Sequence, residues 1–356
     1  MGSIPTRPRH LSGPREGVRP FPGVLRKPIS RLLRETRSGG PLPDSLSTAV
    51  ILNPAASGGS GHRTWPRVEA ELSRRGIDFA LFRTEGPGHA TELSREAAKL
   101  GAERILVVGG DGTLHEVANG LLDGSVPFPP LAVVPVGTGN DFYRMVGSSR
   151  KIEDAVGALV DGSVHMFDVG WIRHDSGERH FVNLLGVGVD VEVLRARTKF
   201  HRLRGLPQYL AALVWTLATF RPDSFRISLG PESPGEEPES FQGRTLLAVV
   251  TVGPSIGGGF HVNPGASPED GLLNLFQVGP LGFLKVARYV PRVIRGTHGD
   301  VPDIRLRKFV SAVLEREGGE PFYFEMDGER MPDPVTRMTV EVRPAVLPVL
   351  LPRRPE

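Results

Sequence analysis

The sequence predicts an α/β domain built on a doubly wound parallel sheet, followed by a mostly antiparallel β-sandwich. Three observations lead to this fold class. Between Thr48 and Val136, short and almost wholly apolar runs alternate with amphipathic stretches, the pattern of parallel strands covered by helices on both faces. From about Val164 the runs keep strand length but lose the regular helices between them, which suits antiparallel strands joined by turns. The 356 residues, 39% hydrophobic and 23% charged, suffice for two cores in an ordinary globular chain.

Taken in order, TAVILN (Thr48–Asn53) reads as a strand, His62–Arg75 as a helix and DFALF (Asp78–Phe82) as a strand. Ala90–Leu100 follows as a helix, RILVV (Arg104–Val108) as a strand, Leu114–Leu122 as a helix and LAVVPV (Leu131–Val136) as a strand. Later strand-like pieces are HMFDVGWI, HFVNLLGVGVD, SFRISL, RTLLAVVTVG, GLLNLFQV, PFYFEMDG and RMTVEVRP. The acidic, Pro- and Gly-rich GPESPGEEPESFQG reads as a mobile hairpin tip. This divides the chain into a tail over 1–44, an α/β domain over 45–163, a sandwich over 164–343, and a segment over 344–356 placed to return to the first domain.

The net charge of +3 hides an asymmetry, because residues 1–44 carry nine Lys/Arg against three Asp/Glu. That local +6 leaves about −3 on the body, so no basic patch for nucleic acid is indicated there. Rich in Pro, Gly and Arg and without apolar periodicity, the tail reads as disordered, and it lacks the apolar core of a secretory signal. Its alternative role is an arm drawn to anionic lipid. The chain has no cysteine, which excludes disulfides, thiolate metal sites and cysteine nucleophiles together and fits a reducing cytosol. A metal must be held by oxygen or histidine. Leu206–Phe220 is apolar over fifteen residues, short of the roughly twenty that a spanning helix needs. Arg195, Arg197, Lys199, Arg202 and Arg204 crowd its start. Two readings stay open: a helix lying on an anionic membrane, or one packed on the sandwich with a solvated flank.

The chemistry concentrates in three glycine-rich loops after the first, third and fourth strands: NPAASGGSG (Asn53–Gly61), GGDGT (Gly109–Thr113) and PVGTGND (Pro135–Asp141). All three emerge at one edge of a parallel sheet, where backbone N–H groups and helix N-termini favour phosphate. Neither GxxxxGK[ST] nor, after the first strand, GxGxxG is present, so this is neither a P-loop nor the dinucleotide fingerprint. Asp111 would repel bare phosphate; Mg²⁺ between them resolves the conflict, because Mg²⁺ takes one or two carboxylates together with phosphate and water oxygens.

NPAASGG, GGDGTLHEVANGL, PVGTGNDF, ASPEDGLL and the late MDGE together resemble the diacylglycerol kinase and sphingosine kinase family of lipid kinases in its bacterial soluble form. The resemblance runs from about Thr48 to near the C-terminus. GGDGT alone is shared with the NAD kinases, whose fold is similar. By this resemblance ATP is bound by Asn53, Pro54, Ser57, Gly58 and Gly59 of the first loop and by Thr84 of FRTEGPGHA. The same holds for the run Gly109, Gly110, Asp111, Gly112, Thr113, Leu114, His115 and Glu116, and for Gly137, Thr138, Gly139 and Asn140 of the third loop. Asp111 and Asp141 join a carboxylate network around catalytic Mg²⁺, with Asp327 and Glu329 facing them from the second domain. A structural Mg²⁺ is held by the Asp270 side chain and the backbone carbonyls of Ser267 and Leu272. The resemblance also implies a cytoplasmic enzyme with a lipid alcohol substrate and a transient, peripheral membrane contact; a homodimer stays open. The sequence departs from the family pattern in two places. NPAASGG is one residue longer than the common NPxSG, and His115 stands where diacylglycerol kinases usually have Asn and sphingosine kinases often have His.

Phosphoryl transfer needs positioning, charge neutralisation and a base for the acceptor hydroxyl. A carboxylate among other carboxylates has its pKa raised and becomes a better base; Asp327 or Glu329 takes that role. MDGER also reads as a plain Asp-Gly hairpin turn, and PEDGLL likewise as a turn. His115 is either a proton shuttle or a hydrogen-bonding side chain. Asn183 and Asp190 either line the acceptor site or serve a strand turn. Two other functions stay open: NAD kinase-like phosphorylation of a soluble nucleotide, and a non-catalytic nucleotide- or lipid-binding relative.

Overall fold

All five side chains of Thr48–Leu52 are buried, as in a strand whose sheet is covered on both faces. The computed structural model describes residues 34–36, 46–137, 139–146, 151–203, 206–232 and 236–353. The first domain runs β1 (Arg34–Thr36), β2 (Thr48–Leu52), α1 (Ala56–Arg74), β3 (Ala80–Arg83), α2 (His89–Lys99), β4 (Arg104–Gly109), α3 (Asp111–Leu122), β5 (Leu131–Pro135), α4 (Asp141–Met145) and α5 (Ile152–Asp161). Strands β3, β2, β4 and β5 pair in parallel in that order. Alternate residues of β2 serve opposite faces. Ala49 and Ile51 join Leu93 of α2 and Val117 and Leu121 of α3, while Val50 and Leu52 join Trp65 and Val68 of α1 and Leu159 of α5. The expected doubly wound sheet is present.

The predicted boundaries shift where glycine turns meet helices. The first helix, expected from His62, is preceded by a left-handed turn through Ser57, Gly58 and Gly59 (φ 49°, 67° and 89°). The third begins at Asp111 rather than Leu114, directly after an extended Gly110. β1 lies antiparallel along β3, so three residues of the tail expected to be disordered form an edge strand. The rest of 1–44, Thr138 and the tip 233–235 of the expected hairpin loop lie outside the described residues.

The second domain runs β6 (Ser163–His174), β7 (Gly177–Phe181), β8 (Leu184–Gly188), α6 (Val189–Arg197), α7 (Leu206–Leu217), β9 (Asp223–Leu229), β10 (Glu239–Thr245), β11 (Leu247–Thr251), β12 (Leu273–Val278), α8 (Phe283–Arg295), β13 (Ile304–Phe309), β14 (Ser311–Arg316), β15 (Phe324–Met326), β16 (Glu329–Arg330) and β17 (Arg337–Leu351). An antiparallel sheet in the order β13-β12-β11-β8-β15-β16 faces β14, β9 and β17. Between them lies a core in which Leu185, Val187, Val250 and Leu275 meet Ile227, Leu229, Leu314 and Val340. α7 falls within the helix expected over Leu206–Phe220, whereas α6 and α8 are additions to the expected run of strands. α6, α7 and α8 cover the outer face of the six-stranded sheet, with Val193, Ala212 and Val293 against Val249 and Phe276. Amphipathic helices are what that outer apolar face demands.

The domains share a sheet. β17 pairs with β14 and along its length with β6, and Val349 near its end lies parallel beside Leu131 of β5. The parallel sheet thus continues into the sandwich, and the cleft between domains is set by one continuous framework.

Candidate active site

The three glycine loops meet at the carboxyl ends of β2, β4 and β5, the place where a parallel sheet binds ligands. Contact between the second and third is backbone against backbone: a methyl group on Gly110 would lie 3.1 Å from Gly137 Cα, and one on Gly137 2.9 Å from Gly110 Cα. Asn53 ties the first loop to the second, its Nδ2 donating to Thr113 Oγ1 at 2.9 Å. Asn140, left-handed at φ 51°, donates to Gly137 O at 2.8 Å. The Glu116 carboxylate accepts from the Gly88 and Ala90 N–H groups at 2.8 and 3.0 Å, fixing FRTEGPGHA to α3. Thr84 is buried in that segment, its N–H donating to Leu52 O at 2.9 Å.

Of the residues expected at the nucleotide, Ser57, Gly110, Gly112, Gly137 and Gly139 line a cleft of ≈ 260 Å³ together with Asp111 and Asp141. Asn53, Thr84, Thr113, Leu114, Glu116 and Asn140 stand behind it and hold the loops in place. Pro54, Gly58, Gly59 and Gly109 shape the turns without lining it.

Asp111 and Asp141, at the starts of α3 and α4, aim at one point. A methyl on Gly139 would sit 3.1 Å from Asp111 Oδ2 and 3.2 Å from Asp141 Oδ2. Burial pushes both carboxyls up, Asp141 to about 7 with the Asp111 charge adding to the effect. Phe142 N–H donates to Asp111 Oδ1 at 3.3 Å, and Gly258 N–H to the Asp141 oxygens at 2.8 and 3.0 Å. Two mutually repelling carboxylates beside glycine-rich turns fit Mg²⁺, which needs no more protein ligands than that. Among the described residues no group of three or more acids or imidazoles stands in a metal-holding arrangement.

The Asp141 shift sets a pH dependence. Its carboxyl moves from 3.8 up to about 7 on folding, so the stability linked to its proton is complete below about pH 3.8 and is lost as pH rises through about 7. Without divalent ions, the Tm is expected to fall between pH 5 and pH 8, by an amount equivalent to at most about 4 kcal/mol. Asp141→Asn should flatten that profile in thermal melts run in EDTA; an unchanged slope would contradict the assignment.

Across the cleft, the β15–β16 hairpin turns through Asp327 (φ 49°) and Gly328 (φ 86°), the two left-handed positions of a tight hairpin. MDGE is therefore a hairpin turn and part of the site at once. Asp327 Oδ2 meets His115 Nδ1 at 2.6 Å and the Val182 N–H at 2.9 Å; Oδ1 accepts from the Asn183 and Leu184 N–H groups at 2.8 and 2.9 Å. With four partners and no exposed side-chain surface, Asp327 clasps the two domains. Burial pulls the His115 pKa down, but the Asp327 hydrogen bond and charge outweigh it and the net shift is upward. His115 is buried behind Asp327, with Asn119 Nδ2 3.4 Å from its Nε2. Glu329 is exposed in the cleft and reaches over the first turn of α3, where a methyl on Gly112 would meet its Oε1 at 2.8 Å.

Deeper on the second-domain side, Asn183 and Asp190 both line the cleft, joined by Glu325 and Tyr209. Tyr209 donates to Asp190 Oδ1 at 2.6 Å. Burial, then the Asp190 charge and hydrogen bond, push Glu325 well above the carboxylate range. Asn183 Oδ1 and Glu325 Oε2 are buried without a protein partner. Sequence reasoning missed Glu325, yet the period-2 pattern of FEMD carries the signal: Phe324 and Met326 enter the core, leaving Glu325 and Asp327 on the other face. It also passed over Gly257 and Gly258, whose N–H groups fix Asp141, because strand-end glycines point to ligands in parallel sheets and not in sandwiches.

Ser267, Asp270 and Leu272 lie outside this cleft. Asp270 Oδ2 pairs with Lys308 Nζ at 2.8 Å, and its Oδ1 accepts from the Leu272 N–H at 3.1 Å. With the one carboxylate of the trio neutralised by a lysine, these residues as arranged do not fit a divalent ion. Buried Asp168, unnoticed in the sequence, anchors this segment by accepting from the Gly271 and Ala345 N–H groups at 2.7 and 2.8 Å.

Two family models match the chain: "Diacylglycerol kinase catalytic domain" over residues 47–172 and "YegS C-terminal NAD kinase beta sandwich-like domain" over residues 183–351. A Bacillus subtilis protein named "Putative lipid kinase YtlR" is 32% identical over 79% of this chain and 92% of its own length. A Mycobacterium tuberculosis protein named "Diacylglycerol kinase" is 28% identical over 85% of this chain and 94% of its own. A solved structure titled as a diacylglycerol kinase from Bacillus anthracis superposes with a TM-score of 0.63 at 23% identity, over 86% of this chain and 96% of that one.

Proposed function

Because this chain belongs to the diacylglycerol kinase catalytic-domain family, we propose that it is an ATP- and Mg²⁺-dependent lipid kinase acting on the hydroxyl of a diacylglycerol-like or sphingoid lipid alcohol. One observation carries the reading: Asp111 and Asp141 of the glycine cradle and Glu329 of the second domain face one another across a single cleft. Mg²⁺, when bound at Asp111 and Asp141, supplies neutralisation of the triphosphate charge. The chain's own groups do the rest. Backbone N–H groups of the loops and the α3 N-terminus hold the phosphates. Glu329 takes the acceptor hydroxyl proton as the new O–P bond forms, and the bond from Pγ to its bridging oxygen breaks with its electron pair leaving on ADP. Asp327 is unsuited to that step, since all its hydrogen-bonding capacity is spent on His115 and three backbone donors; Glu329 is not so engaged. The unpartnered Asn183 Oδ1 and Glu325 Oε2 offer hydrogen bonds to the polar end of the acceptor.

The test is transfer of labelled γ-phosphate from ATP to diacylglycerol, sphingoid bases, other lipid alcohols and NAD. Label on NAD alone would overturn the reading, and label on nothing would make the chain a binding relative. Glu329→Gln, at an exposed position, is expected to fold normally and to lower kcat about 100-fold; near wild-type kcat would remove Glu329 as the base.

A further inference from the structure

We infer that the outer face of α6 and α7 docks on an anionic lipid bilayer and so seats the cleft at the surface that carries its acceptor; this deepens the lipid-kinase reading and rests on it. Between Val193 and Phe220 the chain has five Lys/Arg and no Asp/Glu. α7 buries Ala212 and Thr216 but leaves Val214 and Trp215 50% and 53% exposed, and Leu203 ahead of it is 42% exposed. Phe200, Leu210, Ala211, Val214 and Trp215 line one shallow apolar depression. Lys199 Nζ stands 4.8 Å from the Trp215 ring centroid, an apolar ring beside an ammonium group, as suits the boundary between headgroups and acyl chains.

A second groove, lined by Arg195, Arg197, His201 and Arg330, reaches Gly328 and shares Leu194, Arg197 and Gly328 with the catalytic cleft. Arg195 in this groove is paired with Glu192 at 2.6 Å. The cationic groove therefore runs into the cleft, with the hairpin turn before Glu329 at its inner end, and the apolar depression flanks it, Phe200 of the one adjoining His201 of the other. A protein partner would need matching acids at fixed places. A bilayer with anionic headgroups satisfies both the diffuse positive charge and the apolar depression.

Trp65 and Trp171 are 6% and 7% exposed, so Trp215, the third of the three tryptophans, makes intrinsic fluorescence a direct probe. Without nucleotide, phosphatidylcholine vesicles containing phosphatidylglycerol are expected to shift Trp emission to the blue and to sediment the protein, while pure phosphatidylcholine vesicles do neither. Trp215→Ala, and separately Lys199→Glu with Arg202→Glu, should weaken sedimentation about tenfold with unchanged Tm and unchanged turnover of a short-chain soluble acceptor. Full binding by these variants, equal binding to neutral vesicles, or a dimer of the wild-type chain that Trp215→Ala abolishes would overturn the assignment. Vesicle binding with no labelled lipid would remove the kinase reading and keep the docking face. Turnover of the soluble acceptor with no vesicle binding would do the reverse.

Discussion

Replacing Asp327 by Asn is expected to destabilise the protein by about 3 kcal/mol and to lower kcat at least 100-fold. Asn keeps the size of Asp and tolerates the left-handed backbone of residue 327 (φ 49°), so the change isolates charge and hydrogen bonding from conformation. The carboxylate accepts from Val182, Asn183 and Leu184 and holds His115. An amide presents an NH₂ to at least one of these donors, leaving both buried and unpaired, and it removes the counter-charge that holds the His115 pKa up. The hairpin carrying Glu329 loses its anchor on α3, and small displacements of a positioned group are costly in phosphoryl transfer. Denaturant melts and kcat measured together check this; a variant of wild-type stability would show that Asp327 is not the clasp.

Asp111→Asn is expected to behave in the opposite way toward stability. On the proposed reading, in which Asp111 and Asp141 would hold Mg²⁺, removing one of the two carboxylates should lower kcat by about 10³ and abolish a Mg²⁺-induced rise in Tm. In EDTA, however, the variant should be at least as stable as the parent, because the Asp111 charge is part of what raises Asp141. Its loss also lowers the Asp141 carboxyl and narrows the pH window over which stability changes. A variant that kept both turnover and the Mg²⁺ response would remove the metal from this site.

The first domain was legible because its strands are buried on both faces, so continuous apolar runs such as Val50–Leu52 and Ile105–Val108 have one explanation. The glycine loops were legible for a related reason: Gly110 and Gly137 touch through backbone alone, and no other residue type permits that. The second domain was legible as strands but not as layers. Helix α8 alternates Val286, Val290 and Ile294 inward with Lys285 and Arg288 outward, a pattern that its internal Pro291 disguises. The role of His115 was hidden because its partner lies 212 residues away, and pairings at that range leave no local spacing to read. Asp168 and Ala345 are likewise 177 residues apart, and an aspartate in a strand looks like any polar edge residue until its donors are found.

Strand β17 follows every other described strand in the sequence, yet it closes the exposed side of β5 and pairs with β6 and β14. During synthesis the first domain therefore waits with an unsatisfied apolar border until β17 has left the ribosome, a state in which bare strand edges invite aggregation. Completion of the first domain is thereby tied to synthesis of the last strand of the second, and a chain cut before Leu347 would lose both domains rather than one.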